Sequence, residues 1–318
     1  MPEKKRYLGC SLPILIGITV IVFALFIFSF LGGAFGTKFL PGLAPEWLIV
    51  DVPAIHLPAG AIFHVGSFSI TNTLISAWIS MIVLVGLSWL ATHRVKLVPS
   101  GVQNLLEFAL EWMLNLCVEV GGEKNGPRFF PIVTTIFLFV IVNAWTNLIP
   151  GYGTIWAVVD HHEVHLLRGA NTDINFPLAL AAIAFVFIWY HGIRVLGLSF
   201  FKKFVNVGQF LGGFGKLFSG KVGAGLGGIG MGFIDIFVGV LEFMSEFVRV
   251  ISFTFRLFGN MLGGEILILM MMFLIPWVLA IPFYGLELFV GLIQAVVFAG
   301  LTLVFASVAA TPHGGEEH

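Results

Sequence analysis

A lone arginine sits deep inside an apolar tract, in the run Phe255-Arg256-Leu257-Phe258-Gly259-Asn260-Met261. A guanidinium keeps its charge at any physiological pH and costs several kcal/mol to hold at bilayer depth. A chain that keeps one there uses it electrostatically. At about 100° per residue, Glu242, Arg249, Ser252, Arg256 and Asn260 fall on one stripe of a helix. Glu265 points to the opposite side, roughly 13 Å further along. In the final apolar tract Glu287 and Gln294 share a face. If the two tracts form an antiparallel hairpin, Gln294 comes level with Arg256 and Glu287 with Glu265. The spacing thus gives an Arg/Gln level at mid-membrane and a two-carboxylate level nearer the turn. A separate polar stripe runs from Arg256 back to Glu242. Two offset half-paths separated by a fixed positive charge are what an interrupted proton or cation path needs. Salt-bridged glue between helices is an equal reading for Arg249, Glu242 and Glu246, because charges near a helix end can reach the interface. Arg256 has no acid within one helical turn, so its natural partner belongs to another subunit.

The elements that must position these residues are membrane helices. Of 318 residues, 58% are hydrophobic and only 10% charged, where a soluble domain carries about a quarter charged. Apolar runs of spanning length lie near 12–31, 70–90, 130–148 and 176–198, with longer tracts at 233–273 and 277–309. Segment 102–120 is amphipathic, with Glu107, Glu111 and Glu119 among Leu, Phe, Trp and Val, and reads as an interfacial helix. The predicted fold is therefore an all-α integral membrane protein of about six hydrophobic helices, the last two a long, strongly tilted hairpin. Tract 233–273 is either one tilted helix or two spans. The absence of proline within it favours one helix.

Twelve of the sixteen basic residues fall on one side of such an arrangement: Lys4, Lys5, Arg6, Arg94, Lys96, Lys124, Arg128, Arg194, Lys202, Lys203, Lys216 and Lys221. Lys38 and Arg168 fall on the other. The positive-inside rule then places both termini in the cytoplasm. The first apolar run could be a signal peptide, but its core of roughly twenty residues exceeds the usual ~7–15 and favours a retained anchor over residues 1–45.

Other candidate motifs carry less. The run 215–221 approaches a phosphate-binding loop, but Val222 stands where Ser or Thr would meet Mg²⁺ and no strand precedes it. No direct nucleotide binding is expected, nor a nucleic-acid partner at a net charge of -1. His161, His162 and His165 read as a solvated loop or proton-collecting mouth ahead of a metal site. Cys10 and Cys117 fit no metal or disulfide framework, and no cofactor is implied. A stand-alone transporter would show internal repeats with matched broken helices, and no convincing repeat is present. A structural scaffold would leave Arg256 and Gln294 without a purpose.

Arg256-Leu257-Phe258-Gly259-Asn260-Met261 followed by Gly264-Glu265 resembles the signature of subunit a of the F-type ATP synthase. Gln294, Asn143 with Pro150, and Ser100-Gly101-Val102-Gln103-Asn104 support the resemblance, which runs from about Trp47 to Ala309 within a membrane domain over 46–310; a tail, 311–318, follows. It implies an ion-translocating stator packed against a ring of c subunits, with b-type peripheral stalk subunits, other synthase subunits and the lipid bilayer as partners. It further implies that Arg256 separates two half-channels and meets the ring carboxylates, with Gln294 opposite. Asn260, Glu265 and Glu287 would match the outer half-channel and Glu242 the cytoplasmic one. Family members often carry a histidine where Glu265 or Glu287 stands. Acids at both positions suit a proton relay, or equally a metal-cation site, and protons are favoured. Nucleotide chemistry belongs to other subunits. A bacterial plasma membrane fits the basic-side bias, with an organellar inner membrane the alternative.

Overall fold

The computed structural model describes residues 6–7, 10–43, 45–53, 58–66, 68–93, 95–149, 151–159, 162–197, 199–202, 204, 212, 222–276 and 278–311. The run 215–221, His161 and the tail 312–318 lie outside them. Among the described residues, six helices are long and apolar enough to cross a membrane: α1 (Leu12–Gly32), α3 (Asn72–Thr92), α4 (Val102–Asn147), α5 (Asn175–Leu196), α7 (Val222–Leu274) and α8 (Ala280–Ala309). Two short helices, α2 (Ala34–Phe39) and α6 (Ser199–Lys202), lie between them. Three antiparallel hairpins are β1–β2 (Arg6–Tyr7, Cys10–Ser11), β3–β4 (Ala61–Val65, Phe68–Thr71) and β5–β6 (Trp156–Val159, His162–His165). These small strands were not expected. The last two hairpins gather at the end of the bundle that also holds the α7–α8 turn, called here the strand end.

Local chemistry sets the helix limits. Thr71 caps α3 by accepting from the Leu74 amide at 3.3 Å, and Asn72 Oδ1 takes the amides of Thr73 and Gly60. Within α4 the helix breaks at Gly122, whose φ of 74° and ψ of 168° suit only glycine. The arm 102–121 is thereby separated from the spanning arm 123–147, as the amphipathic pattern implied. The two arms fold back sharply. A Cβ on Gly126 would meet the Cys117 carbonyl at 2.6 Å, and the Trp112 ring reaches Phe137 at 5.8 Å. Arm 102–121 buries Gln103, Met113 and Cys117 and leaves Leu105, Phe108, Glu107 and Glu111 exposed.

Tract 222–274 is one continuous helix, α7. Its 53 residues span about 80 Å at 1.5 Å each, against a hydrocarbon core of ~30 Å. It begins eleven residues before the expected start at 233 because glycine-rich sequence continues the helix. The core lies between the second arm of α4, α5 and the α7–α8 hairpin, around Phe129, Val133, Leu257, Phe298 and Leu303. Small residues let α4 and α8 approach closely: Gly291, Ala295 and Ala299 recur every four residues, and a Cβ on Gly291 would lie 2.9 Å from Ala144. The Trp145 indole donates to the Leu288 carbonyl across the same seam at 3.2 Å. His191 is packed between Phe129 and Phe187.

Candidate functional site

Three levels of charge lie along the α7–α8 hairpin. Furthest from the turn, Arg249 Nη1 donates to Glu246 Oε2 at 2.7 Å and its guanidinium lies 3.9 Å from the Phe305 ring centroid. Glu246 is buried. The two are paired within α7 itself, and it is the Phe305 ring that links Arg249 to α8. Glu242 lies half-buried one further step down the helix.

At the middle level Arg256 is half-buried, with its guanidinium 5.9 Å from the Phe253 ring. Among the described residues no acid pairs with it. It borders an apolar face that the chain leaves uncovered: Phe247, Val248, Ile251 and Phe255 of α7 are each more than half exposed. Ser252, Gly259 and Gly263 share that face, and a Cβ on either glycine would meet nothing within 4 Å. One turn on, Asn260 Nδ2 donates to Gln294 Oε1 at 2.6 Å. Gln294 is thus opposite Asn260 instead of Arg256, one helical turn from its expected register, because the length of the α7–α8 turn decides the offset. The Gln294 amide nitrogen is buried without a partner.

Nearest the turn, Glu265 and Glu287 line one cavity of about 200 Å³ with Asn147, His165, Arg168 and Tyr284. That is room for several waters at roughly 30 Å³ each. The juxtaposition of the two acids agrees with the hairpin reading, but their surroundings differ. Arg168 Nε lies 3.3 Å from both carboxylate oxygens of Glu265. Arg168 is itself held from two further places, its amide donating to Ser76 Oγ at 3.1 Å and its Nη1 to the Pro58 carbonyl at 3.4 Å, and it is 7% exposed. Glu287 is buried with its carboxylate pressed on the Cα of Gly264, where no Cβ would fit. His165, on β6, stacks on Trp156 and bonds the Gly153 carbonyl through Nδ1. Among the described residues no group of three His, Cys, Asp or Glu is placed to hold a metal ion.

Sequence reasoning missed Arg168 as a site residue and counted it only for orientation. The signal was present: a lone acid such as Glu265 inside an apolar helix needs a cation, and Arg168 is one of only two basic residues on that side.

A multi-spanning, mainly helical protein with three levels of charge along one helical hairpin has the build of an ion-translocating membrane subunit. The profile of the family described as ATP synthase A chain matches residues 74–307. The chain is also 30% identical over 263 residues to ATP synthase subunit a of Gloeobacter violaceus, covering 82% of this chain and 93% of that relative. The chain belongs to the ATP synthase A chain family, and is a multi-pass membrane component of the proton-translocating sector of that machine.

Proposed function

We propose that this chain is the stationary half of the synthase's ion path and that Arg256 meets the carboxylates of a rotating c-subunit ring. The observation that carries the reading is a guanidinium with no acidic partner among the described residues, on the border of an uncovered apolar face. Ser252, Gly259 and Gly263 leave room there for another helix to approach. A ring carboxylate arriving in its charged form is attracted to Arg256, exchanges its proton, and moves on into lipid as a neutral group. The same fixed charge repels a proton that would cross directly between the half-channels.

The cavity at the strand end is the outer half-channel, with Glu265 and Glu287 in its wall and Asn260 and Gln294 between it and Arg256. Glu242 marks the cytoplasmic half-channel. Each charge crossing 100 mV supplies about 2.3 kcal/mol, so several must pass for each ATP. Protons suit this cavity better than sodium. A bare cation needs several free oxygen ligands, whereas both oxygens of Glu265 face a guanidinium. Basic residues place both termini on the cytoplasmic side of a bacterial plasma membrane. Residues 46–310 form the stator domain, and b-type stalk subunits hold it against the ring's torque.

The test is ATP-driven proton pumping in inverted vesicles carrying Arg256→Ala, beside Gln294→Leu, with passive leak read after removal of the soluble head. Pumping should vanish for Arg256→Ala in an assembled complex. Near-normal pumping would return Arg256 to structural glue.

A further inference from the structure

Two carboxylates share the cavity at the strand end, and the structure treats them differently. Glu265 faces Arg168 with both oxygens at 3.3 Å from one nitrogen. Arg168 cannot swing away cheaply, because its amide and guanidinium are tied to Ser76 and Pro58 and its side chain is 8% exposed. Glu287 has no hydrogen-bond or ionic partner among the described residues, and it sits against the bare backbone of Gly264. The other polar groups in the cavity wall are His165, Tyr284 and Asn147. His165 Nδ1 is engaged with the Gly153 carbonyl.

We infer that Arg168 is a positioning residue of the ion path: it fixes Glu265 as a permanent counter-charge and leaves Glu287 as the carboxylate that takes up and releases the transported proton. Glu265 is 24% exposed, but the guanidinium it faces is only 8% exposed and would be left without its counter-charge if Glu265 were neutralised. An acid beside a water-sized cavity and without a cation can change state at lower cost. The pair also makes the cavity net neutral when Glu287 is protonated and net negative when it is not, so each cycle moves one charge. This inference rests on the outer half-channel reading above.

The experiment uses the whole complex in inverted vesicles and a double-mutant cycle at Arg168 and Glu265. Glu287→Gln should abolish pumping. Arg168→Gln and Glu265→Gln should each slow it by about tenfold or more, because each leaves a charge without its counter-charge beside Glu287. The double variant Arg168→Gln/Glu265→Gln, with both charges gone, should recover most of the loss, the non-additivity expected of partners in one pair. Arg168→Lys, which keeps the charge, should pump better than Arg168→Gln. A double variant no better than Glu265→Gln alone would show that Glu265 itself carries the proton and would overturn the inference. So would normal pumping by Arg168→Gln.

A second measurement needs no variant and so survives poor assembly. An apolar carbodiimide adds to protonated carboxyl groups to give an N-acylurea. Peptide mass analysis of the treated wild-type complex should find the adduct on Glu287 and not on Glu265. Equal labelling of both, or labelling of Glu265 alone, overturns the assignment. Pumping by Arg256→Ala in the same vesicles tests the underlying half-channel reading separately.

Discussion

Arg249 and Arg256 are two turns apart on one face of one helix, and their surroundings are opposite. Arg249 is neutralised twice, by Glu246 at 2.7 Å and by the face of Phe305. Arg256 keeps only a distant ring at 5.9 Å and looks out past exposed Phe255 and open Gly259. A charge buried with its partner stiffens a packed bundle and is silent to anything outside it. A charge left without one at the border of an apolar face projects its field to whatever docks there, in a medium where screening is weak. Residue type and helical phase are the same for both, so the neighbours alone separate the paired arginine from the one proposed to meet the ring.

The largest test of that contrast sets neutral variants side by side. Arg256→Gln should cut ATP-driven pumping by on the order of 100-fold, equivalent to ~2.7 kcal/mol of barrier. The paired replacement Arg249→Gln/Glu246→Gln should stay within about threefold of wild type, because it removes a charge together with its counter-charge. Equal damage from both would break the contrast. Next in size, Gly264→Ala drives a methyl into the Glu287 carboxylate and should slow pumping about tenfold, since overpacking costs ~1–3 kcal/mol. Passive proton flux through head-stripped vesicles would place that loss on the half-channel side of Arg256.

Glycines on the two faces of the hairpin sharpen the comparison further. Gly291→Ala meets Ala144 and should lower the thermal stability of the detergent-solubilised chain by about 1–3 kcal/mol. Gly259→Ala meets nothing within the chain, and helix propensity favours it by up to ~1 kcal/mol. Its cost should appear only as weakened co-purification with c subunits. Smallest is Phe305→Leu, which strips the ring from Arg249 and should cost about 1 kcal/mol in unfolding without changing the coupling of pumping to ATP hydrolysis.

Much of this architecture is legible in the chain because a membrane allows few solutions. Apolar runs marked all six spanning helices, and the lack of proline marked α7 as one piece. The amphipathic pattern of 102–120 separated that arm from the span after it, and Gly122 supplies the break. Helical phase also brought Glu265 and Glu287 to one level. What failed was whatever depends on distant neighbours or on turn length. Gln294 lies a turn away from its expected partner because the connection between α7 and α8 sets an offset that periodicity cannot see. Arg168 is 97 residues from Glu265 in sequence, and no local pattern links them. The strands β3–β6 are too short, and too mixed in composition, to announce themselves.

The same separation in sequence sets an order of assembly. At about 5–20 residues per second, Arg168 leaves the ribosome some 5–20 s before Glu265, which is 97 residues behind it. Ser76 and Pro58, which bond Arg168, lie still earlier in the sequence, so all three residues are synthesised before α7. A lone glutamate opposes insertion of a helix, and a cation stationed in advance removes much of that opposition. The ion pair thus ties α7 to a segment made well before it.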